Sequence, residues 1–163
     1  MQTINNKDYV IKDLSFKNSN TEGSTLAALE YLKAKNFNGL LYVTGDFAGN
    51  ARHSASSRTD WDIIMHLLRE LQPAKRLKPT KSIKNRVACL NSLFKTFDGT
   101  NNLFINRTEK DLINDLRRLE WAENGMQFAK AGSKDFSHRP DALSYKAYNF
   151  NNVVEREDLP GYG

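Results

Sequence analysis

The sequence has almost no cysteine: Cys89 stands alone among 163 residues. One thiol forms neither an intrachain disulfide nor a thiolate cage, so any metal ion must be held by oxygen or imidazole. Cys89 itself is expected in the core. Long hydrophobic runs are also missing. No stretch approaches the roughly 18 apolar residues that span a bilayer, and the N-terminus lacks the charged-then-apolar pattern of a signal peptide. A soluble intracellular protein that engages no membrane is expected. No Gly-rich loop ends in Gly-Lys-Ser or Gly-Lys-Thr, which excludes ATP binding in the P-loop manner. Acidic residues are the minority, 19 against 24 Lys and Arg, for a net charge of +5. A basic face raises local phosphate concentration and releases counterions on binding, so this balance suits a polyanionic partner.

What is present, 39% hydrophobic and 26% charged residues, suffices for one core. The expected organisation is a single domain over residues 1–150 and a tail over 151–163. Residues 1–4 and the strand formers Tyr9 to Phe16 suggest a hairpin, with Asn5-Asn6-Lys7-Asp8 as its turn. Helical spacing appears in Thr21 to Lys35, through Leu26, Leu29 and Leu32. It returns in 60–71 through Trp61, Ile64 and Leu68, and in 82–97 through Ile83, Val87, Leu90 and Phe94. Further helices are expected at 109–121 and 140–149. Leu40 to Thr44 and Leu103 to Ile105 read as buried strands, whereas 73–81 reads as a basic linker and 123–137 as loop. Strands alternating with helices after an opening hairpin imply an α/β domain with a mixed sheet.

Two carboxylates stand out. Asp46 follows the strand at 40–44, and open α/β sheets bind ligands in the crevice beyond the carboxyl ends of their strands; its position equally suits a turn residue before Gly49. Asp141 follows Pro140, a residue favoured at the first helical position, so the helix dipole stabilises its charge. Asp135, His138 and Asp141 lie within seven residues, a grouping that suits a hard divalent ion. Carboxylates holding Mg²⁺ or Mn²⁺ are what two-metal phosphoryl chemistry requires, with one ion activating water and the other steadying the leaving oxygen. His53, in a polar loop, and His66, on a helix, are set aside as solvated. Arg52, Arg58, Lys75, Arg76, Lys78, Lys81, Lys84 and Arg86 offer a phosphate track, although each also suits a solvated surface and Arg86, within an apolar helix, suits a tie between elements.

Taken in order, these segments resemble the C-terminal nuclease domain of tailed-phage terminase large subunits. Tyr42-Val-Thr-Gly-Asp46-Phe-Ala-Gly49-Asn-Ala-Arg52 and Ser56-Ser-Arg-Thr-Asp60 are similar to the family's strand ending in Gly-Asp, with its small-Gly turn and Ser/Thr-rich stretch. Asn85 to Phe94 and Leu103-Phe-Ile-Asn106 look like the following helix and strand. His138-Arg-Pro-Asp141-Ala-Leu-Ser-Tyr145 resembles the closing His-x-x-Asp-Ala-Leu-x-Tyr motif.

The resemblance implies an RNase H-like mixed sheet flanked by helices and a two-ion Mg²⁺ or Mn²⁺ endonuclease acting on double-stranded DNA during packaging. It implies Asp46 and Asp141 as catalytic metal ligands, His138 beside them, Asp135 as a further ligand, and Arg52, Arg58, Lys130 and Lys134 on the DNA. The implied partners are an upstream ATPase domain, a portal and a small terminase subunit, in the cytoplasm of a bacterial host. In that family the first catalytic Asp stands on the central first strand, and this chain is expected to begin at the second. Neither Asp8, expected in a turn, nor Asp13 replaces it, so reduced or absent activity in isolation and exposed strand edges are expected. The alternatives are a catalytically silent DNA-binding or motor-docking module of the same fold, and a junction resolvase-like nuclease.

Overall fold

Asn5 and Asn6 both take positive φ, 50° and 60°, in the computed structural model of the chain. Asparagine tolerates this conformation better than other non-glycine residues, and two such residues in succession make the tight turn of a two-residue hairpin. The turn joins β1 (Gln2–Ile4) to β2 (Lys7–Val10), antiparallel, with Gln2 opposite Tyr9 and Ile4 opposite Lys7. The hairpin is therefore tighter than its sequence suggested. Asp8, expected in the turn, lies inside β2 and is buried.

The structure describes residues 1–16, 19–50, 58–79, 82–125, 127–129 and 136–150. Their contacts gather into two compact units, Met1–Lys12 with the described part of Thr80–Gly163, and Asp13–Pro79. Among the described residues the architecture is mixed α/β, and no helix is long and apolar enough to cross a membrane.

In the first unit, β5 (Leu103–Ile105) pairs in parallel with β2, Val10 opposite Ile105, so the sheet order is β1-β2-β5. Thus β2 is bonded on both sides. Three helices accompany this sheet: α3 (Ile83–Phe94), α4 (Lys110–Arg118) and α5 (His138–Phe150). Ser82 caps α3 by accepting the Asn85 N–H at 3.2 Å. The acidic residue Asp111 opens α4 and Arg117 and Arg118 close it, the arrangement that the helix dipole favours. Val10, Cys89, Leu90, Leu103, Leu112, Leu143 and Ala147 form the core, with α3 laid along α5. Cys89 is fully buried, as a small apolar residue should be.

The second unit holds α1 (Thr21–Ala34), β3 (Tyr42–Val43), α2 (Asp60–Leu67) and β4 (Ala74–Lys75), with 3-10 turns at Phe47–Asn50 and Arg69–Leu71. Asn20 caps α1, and Thr59 and Asp62 form a reciprocal capping box on α2. The Thr21 hydroxyl donates to Asp60 Oδ1 at 2.8 Å, which ties the start of α1 to the start of α2. β3 and β4 run parallel, Tyr42 opposite Ala74 and Val43 opposite Lys75. Part of the stretch expected to be linker is thus a strand, entered from Pro73, whose missing N–H is harmless at a strand start.

Leu143→Ala removes a buried side chain from the α3–α5 contact and should cost about 2–5 kcal/mol. Phe97→Ala, at an exposed position, should change stability by less than about 0.5 kcal/mol. Urea denaturation of both variants checks the contrast.

Candidate functional site

Asp46 leaves the carboxyl end of β3 and is exposed. Its Oδ1 accepts the Ala48 N–H at 2.9 Å, closing a turn of the kind Asp favours, and its carbonyl accepts the Trp61 indole N–H at 3.1 Å. The chain from Gly45 to Gly49 lies against that indole. A Cβ on Gly49 would stand 2.9 Å from Trp61 Nε1, so only glycine fits there.

Asn50 and Lys75 finish the arrangement. The Lys75 ammonium donates to Asn50 Oδ1 at 3.2 Å and sits 5.8 Å from the centre of the Trp61 ring, a cation–π contact. Lys75 ends β4, which neighbours β3, and Arg76 donates its N–H to the Val43 carbonyl at 2.9 Å. The Asp46 carbonyl and the Lys75 ammonium therefore flank one indole at the carboxyl ends of two parallel strands. The turn expected of Asp46 is present: Oδ1 serves it, while Oδ2 accepts no hydrogen bond among the described residues.

Of the other basic residues expected near it, Arg58 is exposed beside the α2 cap, and Arg76 and Lys78 follow β4. His66 is exposed in the last turn of α2, against Arg69, in keeping with a solvated role. Arg52, His53 and Lys81 lie outside the described residues.

Asp141 belongs to the other unit. α5 begins two residues earlier than Pro140 suggested, at His138, and the Asp141 N–H bonds the Ser137 carbonyl at 2.8 Å. Pro140 still occupies the first turn, where its lack of an N–H is harmless. Asp141 Oδ1 accepts from Arg86 Nη1 at 2.5 Å, and the same nitrogen donates to Ser144 Oγ at 2.7 Å. Ser144 in turn donates to the Asp141 carbonyl at 2.7 Å, and the Arg86 guanidinium lies 3.8 Å from the centre of the Tyr145 ring. Arg86 is only 4% exposed at its side chain, against 32% for Asp141. Arg86 is thus the internal tie that its apolar helix suggested, and not part of a solvated phosphate track.

His138 is exposed at the first position of α5. Its neighbour Arg139 pairs with Asp115 at 2.7 Å. Asp135, Lys130 and Lys134 lie outside the described residues, so the expected Asp135–His138–Asp141 grouping does too. Among the described residues, no group of three or more His, Cys, Asp or Glu side chains could hold a metal ion.

A second buried ion pair escaped the sequence reading. Asp8, on β2, accepts from the Lys146 ammonium of α5 and from the Thr3 hydroxyl at 2.7 Å. Alternation along 7–10 could have signalled it, since Asp8 shares the inward face with Val10.

Asp46 and Asp141 each have one carboxylate oxygen engaged and the other without a hydrogen-bond partner among the described residues. No family model, no curated protein and no solved structure matches the chain.

Lys146→Met leaves Asp8 as an uncompensated buried charge and should destabilise the protein by about 3–5 kcal/mol in chemical denaturation. Gly49→Ala forces its methyl group against the Trp61 ring and should cost about 1–3 kcal/mol, seen as a lowered denaturation midpoint.

Proposed function

We propose that the chain is a metal-dependent nuclease domain of the terminase large-subunit type, RNase H-like in fold, which hydrolyses phosphodiester bonds of double-stranded DNA. The observation that carries this reading is Asp46, exposed at the carboxyl ends of two parallel strands with one oxygen unengaged and the Lys75 strand alongside. The order of motifs from Tyr42 to Tyr145 supports it, as does the net charge of +5.

In this reading Asp46 and Asp141 hold Mg²⁺ or Mn²⁺, which when bound supplies an activated water and charge stabilisation at phosphorus. The chain's own cations hold the DNA backbone: Lys75, Arg58, Arg76 and Lys78, joined by Arg52, Lys130 and Lys134. His138 lies beside the ion site and Asp135 adds a ligand. An upstream ATPase domain, a portal and a small terminase subunit are the proposed partners, in the cytoplasm of a bacterial host.

A second reading, a catalytically silent DNA-binding or motor-docking module of the same fold, is favoured by one specific feature. Arg86 already neutralises Asp141 at 2.5 Å, as it would in a site that needs no ion.

Nicking of supercoiled plasmid in Mn²⁺ tests the proposal. The expected outcome is slow nicking that EDTA stops and that Asp46→Asn or Asp141→Asn lowers on the order of 100-fold. Cleavage indifferent to both substitutions overturns it, and salt-sensitive DNA binding without any cleavage supports the silent module.

A further inference from the structure

Strand alternation gives the sheet of the first unit two unlike faces. Val10 and Leu103 are buried on the inner face, in one core with residues of α3, α4 and α5. The outer face carries Gln2 and Ile4 on β1, Lys7 and Tyr9 on β2, and Phe104 on β5. Pairing sets them side by side, with Gln2 opposite Tyr9, Ile4 opposite Lys7, and Tyr9 beside Phe104. Ile4 and Phe104 are exposed, as is Ile11 just past β2. Neighbouring apolar side chains left in solvent on one face mark an interaction surface, unlike single exposed residues scattered elsewhere.

The chemistry of this face selects its occupant. The Tyr9 and Phe104 rings stack across the two strands, their centres 5.2 Å apart and their planes 16° from parallel. The Lys7 ammonium lies 5.7 Å from the centre of the Phe104 ring. Among the described residues it pairs with no carboxylate, and neither does Arg107, exposed in the turn after β5. Exposed rings accept nucleobases by stacking, and unpaired cations beside them neutralise phosphates. A duplex keeps its base faces inside its own stack, so this combination suits an unpaired strand. Ile4 and Ile11 favour deoxyribose, because a 2′-hydroxyl packed against them would lose water without gaining a partner. A thymine methyl group, in contrast, packs well against such side chains.

We propose that the outer face of the β1-β2-β5 sheet binds single-stranded DNA, with bases stacked on Phe104 and Tyr9 and phosphates held by Lys7 and Arg107. The face shares no residue with the surroundings of Asp46 or Asp141. It therefore does not depend on the nuclease reading.

The probe is a fluorescently labelled oligothymidylate of about ten nucleotides, added to the full chain in EDTA and followed by anisotropy. Binding should weaken as salt rises, fall about tenfold in Phe104→Ala, and persist in Phe104→Trp, which keeps a stacking face. Lys7→Gln should weaken binding and flatten its salt dependence. The ring-proton NMR signals of Tyr9 and Phe104 should shift as the oligonucleotide is added. An abasic strand of the same length, which keeps the phosphates and lacks the bases, should bind at least about tenfold more weakly. Abasic strand, duplex or oligouridylate bound as tightly as oligothymidylate overturns the proposal, as do ring signals that stay in place. A dimer in sedimentation that Phe104→Ala dissolves, with no oligothymidylate bound, also overturns it, because the face then belongs to a second copy of the chain. Should Phe104→Ala fail to fold, the ring signals of the parent chain and the abasic comparison decide.

Discussion

The tie between Arg86 on α3 and Asp141 on α5 is the interaction on which the first unit depends. Alone, either charge would be unfavourable in that setting: Arg86 is almost wholly buried, and a desolvated guanidinium without a carboxylate is strongly destabilising. Together they let two helices pack along a surface that also holds Cys89, Leu90, Leu143 and Ala147. The pair also fixes which residues of α5 face the core. Ser144 and Ala147 turn inward, and Lys146 reaches Asp8 on the sheet. A single helix thus carries ion pairs to three partners, α3, α4 and β2.

The second unit solves a similar problem with an indole in place of a guanidinium. Trp61 is buried, and its ring N–H is satisfied by the carbonyl of Asp46. That bond draws the Gly45–Gly49 segment against the ring, which in turn requires glycine at 49. Asp46 is consequently held where its strand ends, with its charge turned outward. The same packing contact that makes the turn also leaves the carboxylate exposed.

Much of this was legible in the sequence. Helices α1, α2 and α3 were marked by apolar spacing, and β5 by a short apolar run. Their ends were less legible, because a period of 3.6 does not distinguish an α-helical last turn from the 3-10 turn at Arg69–Leu71. β4 was invisible: Ala74 and Lys75 have little strand preference, and the strand exists only because β3 offers it a partner 32 positions earlier in the register. Asp8 was misplaced because the hairpin turn is made by two left-handed asparagines, which shortened the turn from four residues to two. Asp46 and Asp141 were recognisable as unusual carboxylates. Their neighbours Lys75 and Arg86 were recognisable only as cations, since side-chain partners distant along the chain leave no local trace. The grouping of contacts into two units was equally hidden, because periodicity records that a face is apolar and not which face it meets.

The central claim is that Asp46 and Asp141 each lend an oxygen to a divalent ion. Trace Mn²⁺ added to the isotopically labelled chain measures this directly, since the ion broadens NMR signals only near where it binds. Selective broadening of the amides around both Asp46 and Asp141, removed at each by its own Asp→Asn substitution, is the result the account predicts. Broadening at neither carboxylate, or broadening that persists after both are replaced, would contradict it.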